Sequence, residues 1–174
     1  NTLKSDLSKN NISTSPKYSY IIYSSEGKIL SKLSKKFEIN NSKDLIPFLL
    51  KYSFISSEDK RFFKHNGIDI IGLSRALISN IKSGYFKEGG STITQQLARI
   101  VFLNNDLSFK RKLKEIFISL ILDLKYSKNQ ILKLYLNNVY LGSGAYGVNE
   151  ASQVYFGKLI DELTLSEIAL IVGL

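Results

Sequence analysis

The chain has 174 residues, enough for one domain with a real core, and its 44% apolar content excludes a disordered polymer. It has no cysteine, which excludes disulfides and thiolate metal sites, and no methionine, so a fragment or processed form is expected. The formal charge of +9 favours an anionic partner (nucleic acid, anionic lipid or a phosphorylated substrate), although a Lys- and Asn-rich composition alone also produces such an excess.

In chain order, residues 1–16 are polar, aperiodic and closed by Pro16, which predicts a flexible arm. Tyr- and Ile-rich segments at 18–24 and 28–33 flank Gly27 and predict a short hairpin. Leu45, Phe48, Leu49, Tyr52 and Ile55 predict a helix over 44–57. Ile70, Leu77, Ile78 and Ile81 predict a second, stopped by Gly84, and a third opens at Ser91 or Thr92 with Ile93, Leu97, Ile100 and Val101. The fourth carries the strongest stripe, Phe109, Leu113, Ile116, Phe117, Leu120, Ile121 and Leu124. Ser127 with Gln130 and Thr164 with Glu167 are capping boxes for a fifth and a last helix, and between them a "GSGAYG" loop precedes a short helix, "VNEASQVYF". The last helix runs uncapped to Leu174, so more chain is expected beyond it. No repeat is visible, and the fold class is mainly α with a small β appendage. No apolar run reaches the ~20 residues that span a bilayer, so any anchor is expected upstream of residue 1.

Three stretches carry chemistry. In "EDKRFFKHNG", Glu58 ends an apolar helix, where partial burial would raise its pKa and suit it to proton transfer, with Phe62 and Phe63 as an apolar wall. The alternative is surface pairing of Glu58 and Asp59 with Lys60 and Arg61. His65 is the lone histidine and reads as a hydrogen-bonding anchor; no zinc spacing accompanies it. In "KEGGSTITQQLAR", two glycines lead into Ser91 and Thr92 at a helix start, where free N–H groups and the helix dipole attract anions. Gln95, Gln96 and Arg99 follow as donors to phosphate or sugar oxygens; the alternative is an ordinary capped helix. In "KRKLKE", wheel arithmetic puts Arg111 and Glu115 opposite the apolar stripe and Lys112 on its flank, which equally describes a solvated face with an i,i+4 pair worth ~0.3 kcal/mol.

Together and in this order, the three stretches resemble the peptidoglycan glycosyltransferase family, the lysozyme-like domain of class A penicillin-binding proteins and monofunctional transglycosylases. "EDKRFFKHNG" fits the family's Glu-Asp-x-x-Phe-x-x-His-x-Gly, "GGSTITQQ" matches without a change, "RKLKE" fits Arg-Lys-x-x-Glu, and "ILKLYLNNVYLGSGAYGVNEASQVYFGK" is a further match. The resemblance covers residues 17–174 as one domain. It implies a lysozyme-like helical fold with a smaller membrane-proximal lobe, and polymerisation of lipid II with inversion and release of undecaprenyl pyrophosphate. Glu58 would be the general base and Glu115 the second carboxylate. Asp59, Ser91, Gln95, Gln96, Arg99, Arg111 and Lys112 would bind substrate, and Phe63, His65 and Gly67 would support the site structurally. No cofactor is required by this resemblance; a divalent cation, magnesium or manganese, assists some members, with Asp59 as its contact. The implied partners are lipid II, the nascent glycan, the membrane surface, moenomycin-type inhibitors and other cell-wall synthesis proteins, with no nucleic acid. The implied location is the outer face of the bacterial cytoplasmic membrane.

Two departures stand out. Arg99 replaces the family's usual lysine, which keeps charge and changes geometry, and Leu107 stands where members often carry arginine. The rival functions are a muramidase or lytic transglycosylase, which needs no pyrophosphate site, a basic nucleic-acid-binding module, and an inactive scaffold. The apolar residues of 70–86 suit either a membrane-facing lobe or the core.

Overall fold

The computed structural model describes residues 19–23, 29–34, 46–85, 89–103 and 108–174. The expected arm at 1–16, the hairpin turn at Gly27 and Leu107 lie outside the described residues. The described strands fall in one unit, residues 1–44, and the helices in another, residues 45–174. β1 (Ser19–Tyr23) and β2 (Ile29–Ser34) pair antiparallel, with Ser19 opposite Ser34 and a bulge between Ile22 and Tyr23.

The helical unit runs α1 (Phe48–Glu58), a 3-10 turn (Phe62–Lys64), α2 (Ile70–Ser83), α3 (Ile93–Phe102), α4 (Phe109–Lys125), α5 (Lys128–Asn138), α6 (Val148–Phe156) and α7 (Leu165–Val172). The architecture is therefore mainly α. Among the described residues no helix is long and apolar enough to cross a membrane. Helix α1 begins four residues later than the periodicity predicts. Pro47 takes the N-cap position with an extended ψ of 142°, and it removes the N–H and restricts the residue before it.

Helix α3 is the centre of the unit, packed against both α4 and α5, while α1 and α6 pack on α7. The buried core takes Ile93, Leu97 and Ala98 from α3, Ile118 and Leu122 from α4, and Ile131, Leu132 and Tyr135 from α5. Each fully buried Leu or Ile contributes ~1.5–3 kcal/mol. The capping boxes at Ser127/Gln130 and Thr164/Glu167 form as predicted, and α3 adds a third between Thr92 and Gln95.

The helix faces depart from the sequence pattern. The stripe of α4 lies outward: Phe109 is 80% exposed and Leu124 86%, and Leu113, Phe117 and Leu120 are exposed too. The inward face is Glu115, Ile118, Ser119 and Leu122. Helix α2 does the same, burying only Gly72 and Ala76 while Ile70, Ile71, Leu77, Ile78 and Ile81 are exposed. Of the α1 residues in the predicted stripe that are described, only Ile55 is buried. On α4 the close approach of Gly67 to the Ser119 backbone sets the inward face, whatever the apolar periodicity.

The φ of Gly67 is +88°, and a Cβ there would lie 2.6 Å from the Ser119 carbonyl oxygen of α4. Gly67→Ala should therefore cost at least ~2 kcal/mol, read as a lower urea midpoint at unchanged slope. Near the C-terminal end, Glu167 accepts from Lys158 at 2.6 Å and from the Thr164 N–H at 2.8 Å, which together hold its carboxyl at about 2, down from the ordinary 4.5. The folded carboxylate thus binds a proton less readily than the unfolded one. Its stabilisation is present above pH 4.5 and is lost as pH falls towards about 2. Glu167→Gln should flatten that part of the stability–pH curve, measured by denaturant titrations across the window.

Candidate active site

The site starts where α1 stops. Glu58 is the last helical residue, and Asp59 leaves the helix at φ −156°, ψ 73°. The two neighbouring carboxylates then face different surroundings. Asp59 is buried and accepts from His65 Nε2 at 3.0 Å and from the Ile93 backbone N–H at 3.0 Å. A carboxylate only accepts, so the proton of this His65 contact is on Nε2. His65 is also buried and stands edge-on to the buried Phe62 ring, whose centroid is 6.2 Å away. Thr92 donates its hydroxyl to the Gly67 carbonyl at 2.6 Å, which closes the segment back onto the start of α3.

Glu58 is exposed, which departs from the burial expected at the end of an apolar helix, and Phe63 is half-exposed rather than an enclosing wall. Glu58 Oε2 accepts from Gln96 Nε2 at 2.8 Å, and Gln96 Oε1 accepts from the buried Tyr135 hydroxyl at 3.3 Å. Burial, then the negative charge of Glu58, push the Tyr135 phenol above its ordinary range, while Arg99 pulls the other way. Tyr135 thus belongs to the site, which its helical spacing with Ile131, Leu132 and Leu136 does not reveal in the sequence.

Beside Glu58 lies a cleft of about 350 Å³, lined among others by Lys60, Arg61, Arg75, Gly90 and Ser91. Arg61 is tied to Asp69 at 3.2 Å. The bases next to Glu58 were visible in the sequence, but only as candidate surface partners. Ser91 accepts from Lys112 Nζ at 2.9 Å, and Lys112 also bonds the Glu115 carboxylate. Glu115 is 1% exposed, not on a solvated face. Its Oε2 and the Nε of Arg111, one turn earlier, are buried without a hydrogen-bond partner.

Two predicted substrate contacts are engaged inside the protein. Gln95 is buried and its Oε1 accepts from the Thr92 N–H, so it caps α3 instead of reaching the cleft. Asp59 likewise occupies the start of α3. The helix N-terminus expected to receive a substrate anion already holds the protein's own carboxylate. For the same reason Asp59 does not fit a divalent-cation contact, and among the described residues no group of three His, Cys, Asp or Glu could hold a metal ion.

The family model described as Transglycosylase matches residues 26–174. The chain belongs to the transglycosylase family. This makes the domain a glycosyltransferase. It is similar to penicillin-binding protein 1A of Escherichia coli K12, with 46% identity over 153 residues that cover 88% of this chain and 18% of the relative. The same protein of Vibrio cholerae is also 46% identical over 153 residues, with the same coverage. That of Aquifex aeolicus is 42% identical over 153 residues, covering 88% of this chain and 21% of the relative. The chain spans about a fifth of the length of the curated relatives it matches.

In this transglycosylase domain the buried Glu115 depends on Lys112. Lys112→Met should destabilise by about 1–3 kcal/mol, because it leaves a buried carboxylate unpaired. Glu115→Gln in that background should recover part of the loss. A double-mutant cycle by urea denaturation checks this, and strict additivity would show that the two side chains do not interact.

Proposed function

We propose that this transglycosylase domain is a peptidoglycan glycosyltransferase that polymerises lipid II into β-1,4-linked glycan strands. The observation that carries this reading is one cleft bounded by an exposed carboxylate, Glu58, and by Ser91, itself bonded to Lys112. A glycosyl transfer from a lipid pyrophosphate needs a base at one end and fixed positive charge at the other.

In this reading Glu58 takes the proton from the 4-hydroxyl of the acceptor's GlcNAc as that oxygen attacks the anomeric carbon of the growing chain. The bond from that carbon to the pyrophosphate oxygen breaks, its electron pair leaves with undecaprenyl pyrophosphate, and the centre inverts from α to β. Gln96 holds Glu58 from one side and leaves its other oxygen for the acceptor. Lys112 and Arg111 neutralise the departing pyrophosphate, and the Ser91 hydroxyl adds a donor. Glu115 holds Lys112 in place from the protein side. Arg99 contributes charge on the Tyr135 side of Glu58. Asp59, His65, Gly67 and Gln95 act as the frame. A moenomycin-type inhibitor would compete for the basic end of the cleft.

The exposed aliphatic face of α2, with Ile70, Ile71, Leu77 and Ile81, supports contact with a membrane surface, where the lipid tail of such a substrate resides. The relatives' name, penicillin-binding protein 1A, agrees with work at the cell envelope, on the outer face of the cytoplasmic membrane and beside other cell-wall synthesis proteins.

Glu58→Gln should lower polymer formation from lipid II by at least ~10²-fold while the circular dichroism spectrum is retained. Undiminished turnover would remove Glu58 from the base role. Shortening of finished peptidoglycan without any polymer from lipid II would instead favour a lytic enzyme.

A further inference from the structure

The loop after α5 takes no part in the chemistry above, yet it is built with unusual rigidity. Tyr140 and Tyr146 pair across it as an isolated antiparallel bridge. Leu141 N–H donates to the Ala145 carbonyl, Ala145 N–H to Gly142, and Gly147 N–H to Val139. The Tyr155 hydroxyl donates to the Leu141 carbonyl at 2.8 Å, and Glu150 accepts the Tyr146 N–H at 2.9 Å. Gly142, Gly144 and Gly147 take positive φ, and so does Ser143 at 48°, a conformation that costs energy outside glycine. Leu141 and Ala145 are buried and anchor the loop from below.

What this frame presents outward is two aromatic rings. Tyr140 is 56% exposed and Tyr146 50%, and their centroids are 5.1 Å apart at 47°. Nothing in the core requires them. Residues 137–149 carry no Asp, Glu, Lys or Arg in a chain of net charge +9, and the Glu150 carboxylate on the Tyr146 N–H adds only negative charge beside them. An anionic ligand finds no counter-charge there. A lipid tail finds two phenols and Gly, Ser and Asn neighbours in place of the aliphatic face that α2 offers. A pyranose ring fits, because its C–H face is apolar, its rim is neutral hydroxyl, and a rigid aromatic plate meets it with little loss of side-chain freedom. The loop follows the helix that carries Tyr135, which bonds Gln96 beside Glu58; Tyr140 lies five positions further on, so the two Cα atoms are at most about 18 Å apart.

We propose that Tyr140 and Tyr146 form a stacking platform for the sugar rings of a glycan strand, holding the saccharide on the protein through successive additions. This role in chain growth rests on the lipid II reading above; the binding of saccharide does not.

The test uses the 174-residue chain and, as probe, β-1,4-linked N-acetylglucosamine oligosaccharides free of lipid and phosphate. Calorimetric titration should show roughly tenfold weaker binding in Tyr140→Ala/Tyr146→Ala and binding within about threefold of wild type in Tyr140→Phe/Tyr146→Phe. With lipid II as substrate, the alanine pair should also give shorter strands on gels. Because the chain has no tryptophan, Tyr146→Trp adds a single fluorescence reporter that should respond saturably to the oligosaccharide even where the alanine pair folds poorly. Equal affinity in wild type and the alanine pair, equal loss in the phenylalanine pair, or an indole fluorescence that does not respond in Tyr146→Trp each overturns the platform. A protein that binds the oligosaccharide but makes no polymer keeps the platform and sinks the lipid II reading.

Discussion

The Asp59 carboxylate is the interaction on which the site's geometry depends. It joins the residue that follows α1, the His65 ring and the first N–H of α3. Each contact alone is ordinary. A helix N-terminus prefers a negative group, a buried carboxylate must have donors, and a buried histidine must have at least one partner. Combined in one side chain, they lock the end of one helix to the start of the central one. Thr92 adds the second tie, from its hydroxyl to the Gly67 carbonyl, and Gly67 in turn lies against the backbone of α4. The segment from 59 to 67 is therefore held at α3 and α4 at once.

This arrangement gives two adjacent acids separate duties. Asp59 turns inward where the helix ends and commits its charge to structure. Glu58 stays outside, on the last residue of α1, and keeps one hydrogen bond, from Gln96. Gln96 lies one residue beyond Gln95, which is turned back to cap the same helix. The same division recurs on α3, where one residue of a neighbouring pair is structural and the next reaches Glu58. In both pairs the frame residue fixes the position of its neighbour through the backbone they share.

Much of this was legible in the sequence. The capping boxes at Ser127 and Thr164, the stop at Gly84 and the order of helices follow from local chemistry, which acts over a few residues. The faces of the helices were not legible. Periodicity tells which residues share a face and leaves open which face is inside. On α4 the apolar stripe is outward, because Gly67 meets the backbone at Ser119 and Lys112 reaches Glu115 and Ser91 on the other side. The Gly67–Ser119 and Lys112–Ser91 contacts span long sequence separations, with no trace in any local window. The same applies to the N-terminus of α3. Its sequence announces an anion site correctly, but the anion that arrives is Asp59, from 34 residues away. Tyr135 was hidden for a related reason: a tyrosine in an apolar helix reads as core until its hydroxyl is seen to reach Gln96.

The face that α4 turns inward is costly. Glu115 is buried, only one of its oxygens is bonded, and the Arg111 Nε one turn away has no partner. Unsatisfied buried polar atoms of this kind cost about 1–3 kcal/mol each. Leucines at both positions would pack against α3 without that penalty, and the stripe on the opposite side of α4 shows that the chain has apolar residues at helical spacing to offer. The penalty is offset by the packing of Ile118 and Leu122 with α3, which surrounds the polar residues with a firm core. The acid and the guanidinium are thereby held on one face of α4, each with hydrogen-bonding capacity left over. Lys112 balances the charge of the Glu115 carboxylate, so the stability surrendered at these two atoms is a matter of unmade hydrogen bonds rather than of an unpaired buried acid.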